Sequence, residues 1–192
     1  MKKRLLTALA VLTGMLLLSA SIVWAQPAPV AATGQTTSYR TGDDGDLQKG
    51  VAIPPPYQFL RFKDNGDGTV TDNLTGLMWA KNANIFGERT WADALSVANN
   101  LSLGSAGCGL SYTDWRLPNS NELYSLTDKG NYGPALPSGH PFSNVRTTDY
   151  WSSTTHAVYT DRAWSVYMYC GYVDFNNKTN YSFYVWPVRD AN

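Results

Sequence analysis

The chain has 192 residues, with 15 Lys plus Arg against 15 Asp plus Glu, so its formal net charge is zero. That balance argues against nucleic acid as the main partner, because binding phosphate needs a basic excess. Aromatic residues make up 13% of the chain and charged residues 16%, a composition that fits a compact, Trp- and Tyr-rich exported domain.

Residues 1–25 have the three parts of a secretory signal. Lys2, Lys3 and Arg4 give a positive start, Leu5 to Leu18 form an apolar run, and Val23-Trp24-Ala25 is a small-x-small cleavage site. Cleavage would leave Gln26 as the mature N-terminus and no membrane span. The alternative is an uncleaved anchor, for which the apolar run is short. No Cys follows the run, which argues against lipoprotein processing. The expected destination is secretion or the cell surface, with the periplasm also open. About 165 residues remain, enough for one domain with its own core.

Residues 26–56 are rich in Pro, Ala, Gly, Thr and Asp and read as a flexible lead-in, ending in the stiff Pro54-Pro55-Pro56. Folded structure is expected from Tyr57, as one domain over 57–192. Phe59 to Phe62 reads as a strand. Asp64-Asn65-Gly66-Asp67-Gly68 is a dense turn signal before the β-prone Thr69-Val70-Thr71. Its Asp/Asn/Gly string faintly resembles a calcium loop but lacks the closing Glu, so a plain hairpin is expected and no metal or cofactor is assigned. Asp72 to Gly76 makes another turn, and Leu77-Met78-Trp79 reads as a buried strand.

Thr90 with Asp93 resembles a capping box, and Trp91, Leu95, Ala98 and Leu101 then share a helical face. A second helix is expected after Pro118, with Asn119 as N-cap, Glu122 three residues on, Leu123 and Leu126 as its apolar stripe and Gly130 as its stop. After Pro134 the pattern is strand and loop. Early helices followed by short strands predict an α+β fold.

The candidates for chemistry are weak. His140 and His156 are the only histidines, and no metal-ligand spacing surrounds them. Ser152-Ser153-Thr154-Thr155 has no evident base beside it, so its hydroxyls are expected to bond backbone. Asp114 and Glu122 could form a carboxylate pair, but a structural salt bridge or turn cap explains Asp114 better. Cys108 and Cys170 leave both a bridge and two independent thiols open. Most of the tryptophans are expected in the core, with their indole N–H groups bonded internally. No catalytic residue is assigned, and no enzyme activity is expected.

The C-terminal region is more informative. Ser165, Tyr167 and Tyr169 interleave with Trp164, Val166 and Met168, and Tyr172 and Asp174 flank Val173. With period 2, the Trp/Val/Met frame faces a core while the Tyr/Asn/Asp/Ser set faces solvent. Tyr offers contact area at low entropic cost, and Asn and Ser offer adaptable hydrogen bonds, which is the chemistry of a binding surface.

Several motifs in order resemble the Lcl C-terminal domain family, named after a collagen-like bacterial adhesin. They are the run from Phe62 to Asp72, Thr75-Gly76-Leu77-Met78-Trp79, Thr90-Trp91, Asp114 to Asn119, Glu122-Leu123, Pro141-Phe142, Tyr150-Trp151-Ser152-Ser153 and Trp186-Pro187-Val188-Arg189. The resemblance covers about residues 57–190. It implies a C-type-lectin-like fold related to the formylglycine-generating enzymes. The catalytic cysteines of those enzymes are not recognisable here. Similar proteins often carry a Cys near position 85, where this chain has Ile85, so the resemblance supplies no bridge for Cys108.

The tail resembles the variable proteins of diversity-generating retroelements, whose error-prone copying at adenines rewrites the end of a lectin-like gene. Residues reachable from an AAC or AAT codon include His156, Tyr159, Asp161, Arg162, Ser165, Tyr167, Tyr169, Cys170, Tyr172, Asp174, Phe175, Asn176, Asn177, Asn180, Tyr181 and Ser182. Between them stand the fixed-looking Ala163-Trp164, Gly171, Lys178-Thr179 and Tyr184-Val185-Trp186. The resemblance implies a ligand-binding surface made of that set, with a protein or glycan on another cell, phage or host surface as partner. The alternatives are a fixed adhesin for anionic polysaccharide, disfavoured by the few cations of the tail, and an unrecognised enzyme.

Overall fold

The computed structural model describes residues 32–48, 61–107 and 109–191. The expected signal segment, Tyr57, the start of the strand expected at Phe59, and Cys108 lie outside the described residues.

The fold is α+β. Strands β1 (Phe62–Asp64), β2 (Thr69–Asp72), β3 (Leu77–Ala80) and β11 (Val188–Asp190) form an antiparallel sheet in that order. Its first hairpin is built by the Asp/Asn/Gly string. Asp64 Oδ1 accepts from the Gly66 N–H at 3.0 Å, and Asp67 Oδ1 accepts from the Thr69 N–H at 3.0 Å. Asp67 Oδ2 also accepts from the Ser105 N–H at 2.8 Å. The acidic side chains therefore cap the turn's own backbone donors, as short Asp side chains do in turns. All four residues of β3 are buried, as the apolar run predicts. Ser105 lies on β5 (Leu103–Gly107), which forms a two-stranded hairpin with β6 (Leu110–Tyr112).

A five-stranded sheet runs in the order β4 (Glu88–Arg89), β10 (Phe183–Tyr184), β7 (Asp149–Thr155), β8 (Arg162–Tyr167) and β9 (Tyr172–Asn177). Only the β10–β7 pairing is parallel. Helix α1 (Asp44–Leu47) is one turn within the expected flexible lead-in. Its segment meets the domain where the Lys129 and Gly130 N–H groups donate to the Thr33 carbonyl, at 2.6 and 3.1 Å.

Helix α2 (Trp91–Asn99) starts where the sequence predicts. Thr90 Oγ1 accepts from the Asp93 N–H, and its hydroxyl donates to Asp93 Oδ2 at 2.8 Å. Ala94 and Ala98 are its fully buried residues, while Trp91 and Leu95 pack half-buried at the margin. Helix α3 (Ser120–Ser125) carries a complete capping box. Asn119 Oδ1 accepts from the Glu122 N–H, and Glu122 accepts from the Asn119 N–H, at 2.9 and 2.8 Å. Gly130 is not its stop; the helix ends at Ser125, five positions earlier, with Leu126 as its C-cap. Leu123 and Leu126 are already buried there, so no apolar surface remains to reward another turn.

The segment from Asp114 to Asn119 is a structural fastener. Asp114 binds Arg189 of β11 with Nε–Oδ1 at 2.7 Å, and the Arg189 bond holds its carboxyl below the ordinary range. Trp115 and Leu117 are buried. Arg116 grips Glu122 through two bonds of 2.7 and 2.8 Å. Asp114 and Glu122 are thus each bound to a different arginine and are not a pair. Burial raises the Glu122 carboxyl, but the Arg116 bond and the Asn119 N–H outweigh it and the net shift is downward.

The main core is aromatic. Trp186 meets Phe142 edge-on at 4.9 Å between centroids and Trp79 at 5.9 Å, and Phe62 meets Phe142 at 5.0 Å. Such contacts contribute about 0.5–1.5 kcal/mol each beyond area burial. Trp79, Trp115, Trp151 and Trp186 are buried. The indoles of Trp115, Trp151 and Trp186 donate to the carbonyls of Leu103, Arg89 and Ala80. Trp79 departs from the expectation: its Nε1 has no partner among the described residues. Below this core, Arg61 and Asp72 form a buried ion pair at 3.1 Å.

Candidate functional site

Strand register assigns each residue of the C-terminal sheet to a face. Directly opposed residues on neighbouring strands share a side. Asp149 and Trp151 of β7 oppose Tyr167 and Ser165 of β8, which oppose Tyr172 and Asp174 of β9. Asn176 opposes Ala163 on this same face. On the reverse face, Tyr150 opposes Val166, which opposes Val173, while Trp164 opposes Phe175 and Arg162 opposes Asn177. The alternation of faces expected along β8 is present, but burial follows it only from Val166 onward. Val166 is fully buried, and Met168 beyond it is as well.

The expected outward layer is not one surface. Ser165, Tyr167, Tyr172, Asp174 and Asn176 share the first face, whereas Arg162, Phe175 and Asn177 occupy the reverse. Two assignments need correction. Ser165 is fully buried rather than solvent-facing. It lies on a strand flanked on both sides, and its small side chain is overtopped by longer neighbours. Its hydroxyl donates to Asp149 Oδ1 at 3.0 Å, and Asn176 Nδ2 donates to Ser165 Oγ at 3.2 Å. Trp164 is half-buried instead of core. It shares a face with Val166, but the main core ends there, and the connection between β7 and β8 supplies the cover.

That cover is a second aromatic group. His156 stacks on Tyr159 and on Trp164, each at 5.2 Å, and meets Phe175 at 4.4 Å. The Arg162 guanidinium lies 5.0 Å from the Tyr159 ring and 5.5 Å from the Phe175 ring. His156 Nδ1 accepts from the N–H groups of Val158 and Tyr159 at 3.2 and 3.0 Å, which closes the loop under Tyr159. Tyr159 remains 51% exposed. The side chains of this group support one another as much as they face solvent.

At the opposite end, the β8–β9 turn carries Tyr169 and Cys170, both exposed, and the Cys170 thiol is free. The turn is anchored by the loop after α3. Gly133 N–H donates to the Tyr169 carbonyl at 2.7 Å, Ala135 N–H donates to that of Met168 at 2.8 Å, and Lys129 Nζ donates to the Gly171 carbonyl. Tyr167 lies 6.0 Å from Tyr169, and Tyr169 lies 6.1 Å from Tyr132. Four tyrosines thus follow one another along the turn and the first sheet face: Tyr132, Tyr169, Tyr167 and Tyr172.

Asn180, Tyr181 and Ser182 are exposed on the β9–β10 connection, where Tyr181 meets Phe183 at 5.7 Å. Asn177 holds that connection in place. Its Oδ1 accepts from the N–H groups of Thr179 and Asn180 at 3.0 Å, and its Nδ2 donates to Asp161 Oδ2 at 2.9 Å. Lys178 Nζ donates to Thr155 Oγ1 and the Thr160 carbonyl at 2.8 and 2.9 Å, and lies 4.0 Å from the Trp91 ring.

Two residues of this surface have no signal in the sequence. Tyr132 arrives from a distant loop. Asp149 precedes the Tyr150-Trp151-Ser152-Ser153 run, and only the β7–β8 register brings it beside Ser165. Burial raises the Asp149 carboxyl above its ordinary range; the Ser165 bond opposes that shift, and the charge of Asp174 adds to it.

The hydroxyl run has structural partners. Ser152 Oγ donates to the Trp164 carbonyl at 2.7 Å, Ser153 Oγ donates to that of Pro118 at 3.2 Å, and Thr154 Oγ1 accepts from the Ser120 N–H at 3.0 Å. His140 sits in a loop 5.9 Å from Phe142, its Nδ1 has no partner among the described residues, and burial lowers its pKa. No helix among the described residues is long and apolar enough to cross a membrane.

A comparison with curated proteins found no match. The Lcl C-terminal domain matches residues 68–189, a span that runs from before β2 into β11 and includes the whole five-stranded sheet, helices α2 and α3 and the tyrosine-bearing turn. The chain belongs to the Lcl C-terminal domain family.

Proposed function

We propose that this protein is an exported binding protein with one C-type-lectin-like domain, and that its C-terminal strands and loops display a recognition surface diversified by a retroelement. The observation that carries the reading is the contrast within one hairpin. Tyr169 and Tyr172 are 44% and 61% exposed, while Val166 and Met168, close in sequence, are fully buried. A buried frame of this kind holds the backbone still while outward side chains change. Tyr anchors would fill pockets on a partner, with Asn, Asp and Ser adjusting the polar rim. The return of β11 to pair with β3, with both capped helices between those strands in sequence, supports the lectin-like fold. The charged start, apolar run and small-residue site of the N-terminus support export.

The role assigned is recognition, without catalysis. The gene offers the first test. Codons of the changing set should end in C or T, and a near-repeat with adenines at those codons should lie close to a reverse transcriptase gene. The second test replaces Tyr167, Tyr169 and Tyr172 together by Ala. Stability should change little, because surface substitutions each cost within about 0.5 kcal/mol, while binding to a ligand selected on the parent protein should be lost. A triple variant that fails to fold would sink the reading.

A further inference from the structure

We infer that the tyrosine row of the first sheet face docks a Lys- or Arg-bearing segment of a protein partner, with Asp149 and Asp174 meeting the cation between Tyr167 and Tyr172. The inference rests on the reading of this face as the recognition surface and adds the charge of what it recognises. Tyr167 and Tyr172 are directly opposed, Asp149 opposes Tyr167, and Asp174 opposes Ser165 beside them. Both carboxylates are half-buried, on the same side as the two rings.

Neither carboxylate has an ion pair among the described residues. The nearby cations are committed elsewhere. Arg162 lies on the reverse face over Tyr159 and Phe175. Lys178 is bound to Thr155 and Thr160, and Lys129 to the Gly171 carbonyl. Arg146 lies against Tyr184, and Arg89, on the far edge strand, donates to the Glu88 carbonyl at 2.7 Å. The Ser165 hydroxyl takes up part of the Asp149 acceptor capacity and leaves the negative charge uncompensated.

Charge complementarity therefore selects the partner. A cation arriving at this face gains Coulomb attraction from two half-desolvated carboxylates and cation–π attraction from the tyrosine rings, and it relieves the repulsion between the two acids. An acidic or phosphorylated segment would meet like charge. Asp149 stands outside the changing set, so it supplies a fixed acidic floor, and Asp174 is the adjustable part.

The test uses the full chain and three fluorescein-labelled peptides that are alike except for Lys/Arg, Gln or Glu at alternate positions, with binding read by anisotropy at low and at physiological ionic strength. The Lys/Arg peptide should bind, more weakly at higher salt, and the Gln and Glu peptides should not. Asp149→Asn with Asp174→Asn keeps side-chain size and the Ser165 acceptor and should weaken binding about tenfold or more, with an unchanged circular dichroism spectrum. Equal binding of the Glu peptide, absence of binding by the Lys/Arg peptide, or an undiminished double Asn variant overturns the cationic assignment. The second variant, Tyr167→Ala with Tyr172→Ala, separates the two levels. If it abolishes binding of whichever peptide does bind while the Asn variant does not, the recognition face stands and the charge assignment falls. If neither variant changes binding, both fall.

Discussion

Asp72 and Arg61 show how much a single buried charge demands. Their side chains are 0% and 3% exposed, and Arg61 Nη2 also donates to the Ser125 carbonyl at 2.6 Å. Asp72→Ala leaves a buried guanidinium without its counter-charge, which should cost roughly 3–5 kcal/mol in urea unfolding. Replacing both partners with apolar residues of similar volume should recover most of that loss. Asp149 has the opposite sign. Its folded-state carboxyl is raised above the ordinary 3.8, so the folded chain binds more protons than the unfolded chain between 3.8 and the raised value. Stability from this group falls as pH rises through that interval. Asp149→Asn should therefore be more stable relative to the parent at neutral pH, with the advantage shrinking as pH drops toward 3.8. A parent–variant difference that does not change with pH would refute the assignment. Glu122 and Asp114 run the other way. Their lowered carboxyls contribute stability above the ordinary carboxylate range and lose it as pH falls below it.

The capping box of α3 is a short device with a large consequence. The helix has six residues, too few to stand alone, and it is held by Leu123 and Leu126 packed into the core. Asn119→Ala removes the acceptor for two backbone N–H groups and should cost about 1 kcal/mol in thermal or urea unfolding. The β8–β9 turn is constrained differently. Gly171 has φ +68°, and a Cβ there would lie 2.7 Å from Lys129 Nζ and 3.1 Å from Thr127 Cβ. Gly171→Ala should cost about 1 kcal/mol or more through the left-handed backbone alone. It should also shift the NMR signals of Tyr169 and Tyr132, whose rings depend on how that turn is seated.

Across the whole molecule, the last strand completes the sheet that the first strands begin. β11 pairs with β3, and Arg189 reaches Asp114, so the C-terminal residues close the fold that β1 to β3 begin. The tyrosine-bearing β8–β9 turn lies just before this closure in sequence. The described lead-in touches the domain at Thr33, whose carbonyl accepts two backbone bonds, and at Gly34, which lies against Asp128 and Gly130. A chain starting at Tyr57 should still unfold cooperatively, with a melting temperature lower by no more than about 15 °C, since two hydrogen bonds contribute about 1–3 kcal/mol. A shortened chain that does not unfold cooperatively would show that the lead-in is part of the folding unit.

Local chemistry was legible in the sequence: turns at Asp64 to Gly68, the N-caps of α2 and α3, and the buried β3. Each depends on residues a few positions apart, where propensity and period act directly. The structural role of the segment from Asp114 to Asn119 was half legible, since its arginine partner for Asp114 lies on β11 and no spacing rule reaches that far. Which side chains share a face was decided only by strand register, because pairing β8 with both β7 and β9 puts Ser165 under its neighbours and Asp149 beside it. The sequence by itself determined where α2 and α3 begin and where the first turns lie, because caps and turn residues act over a few positions. The tertiary structure decided how far the core extends beneath the C-terminal strands, and so turned one expected layer into a tyrosine face and an aromatic group on its reverse.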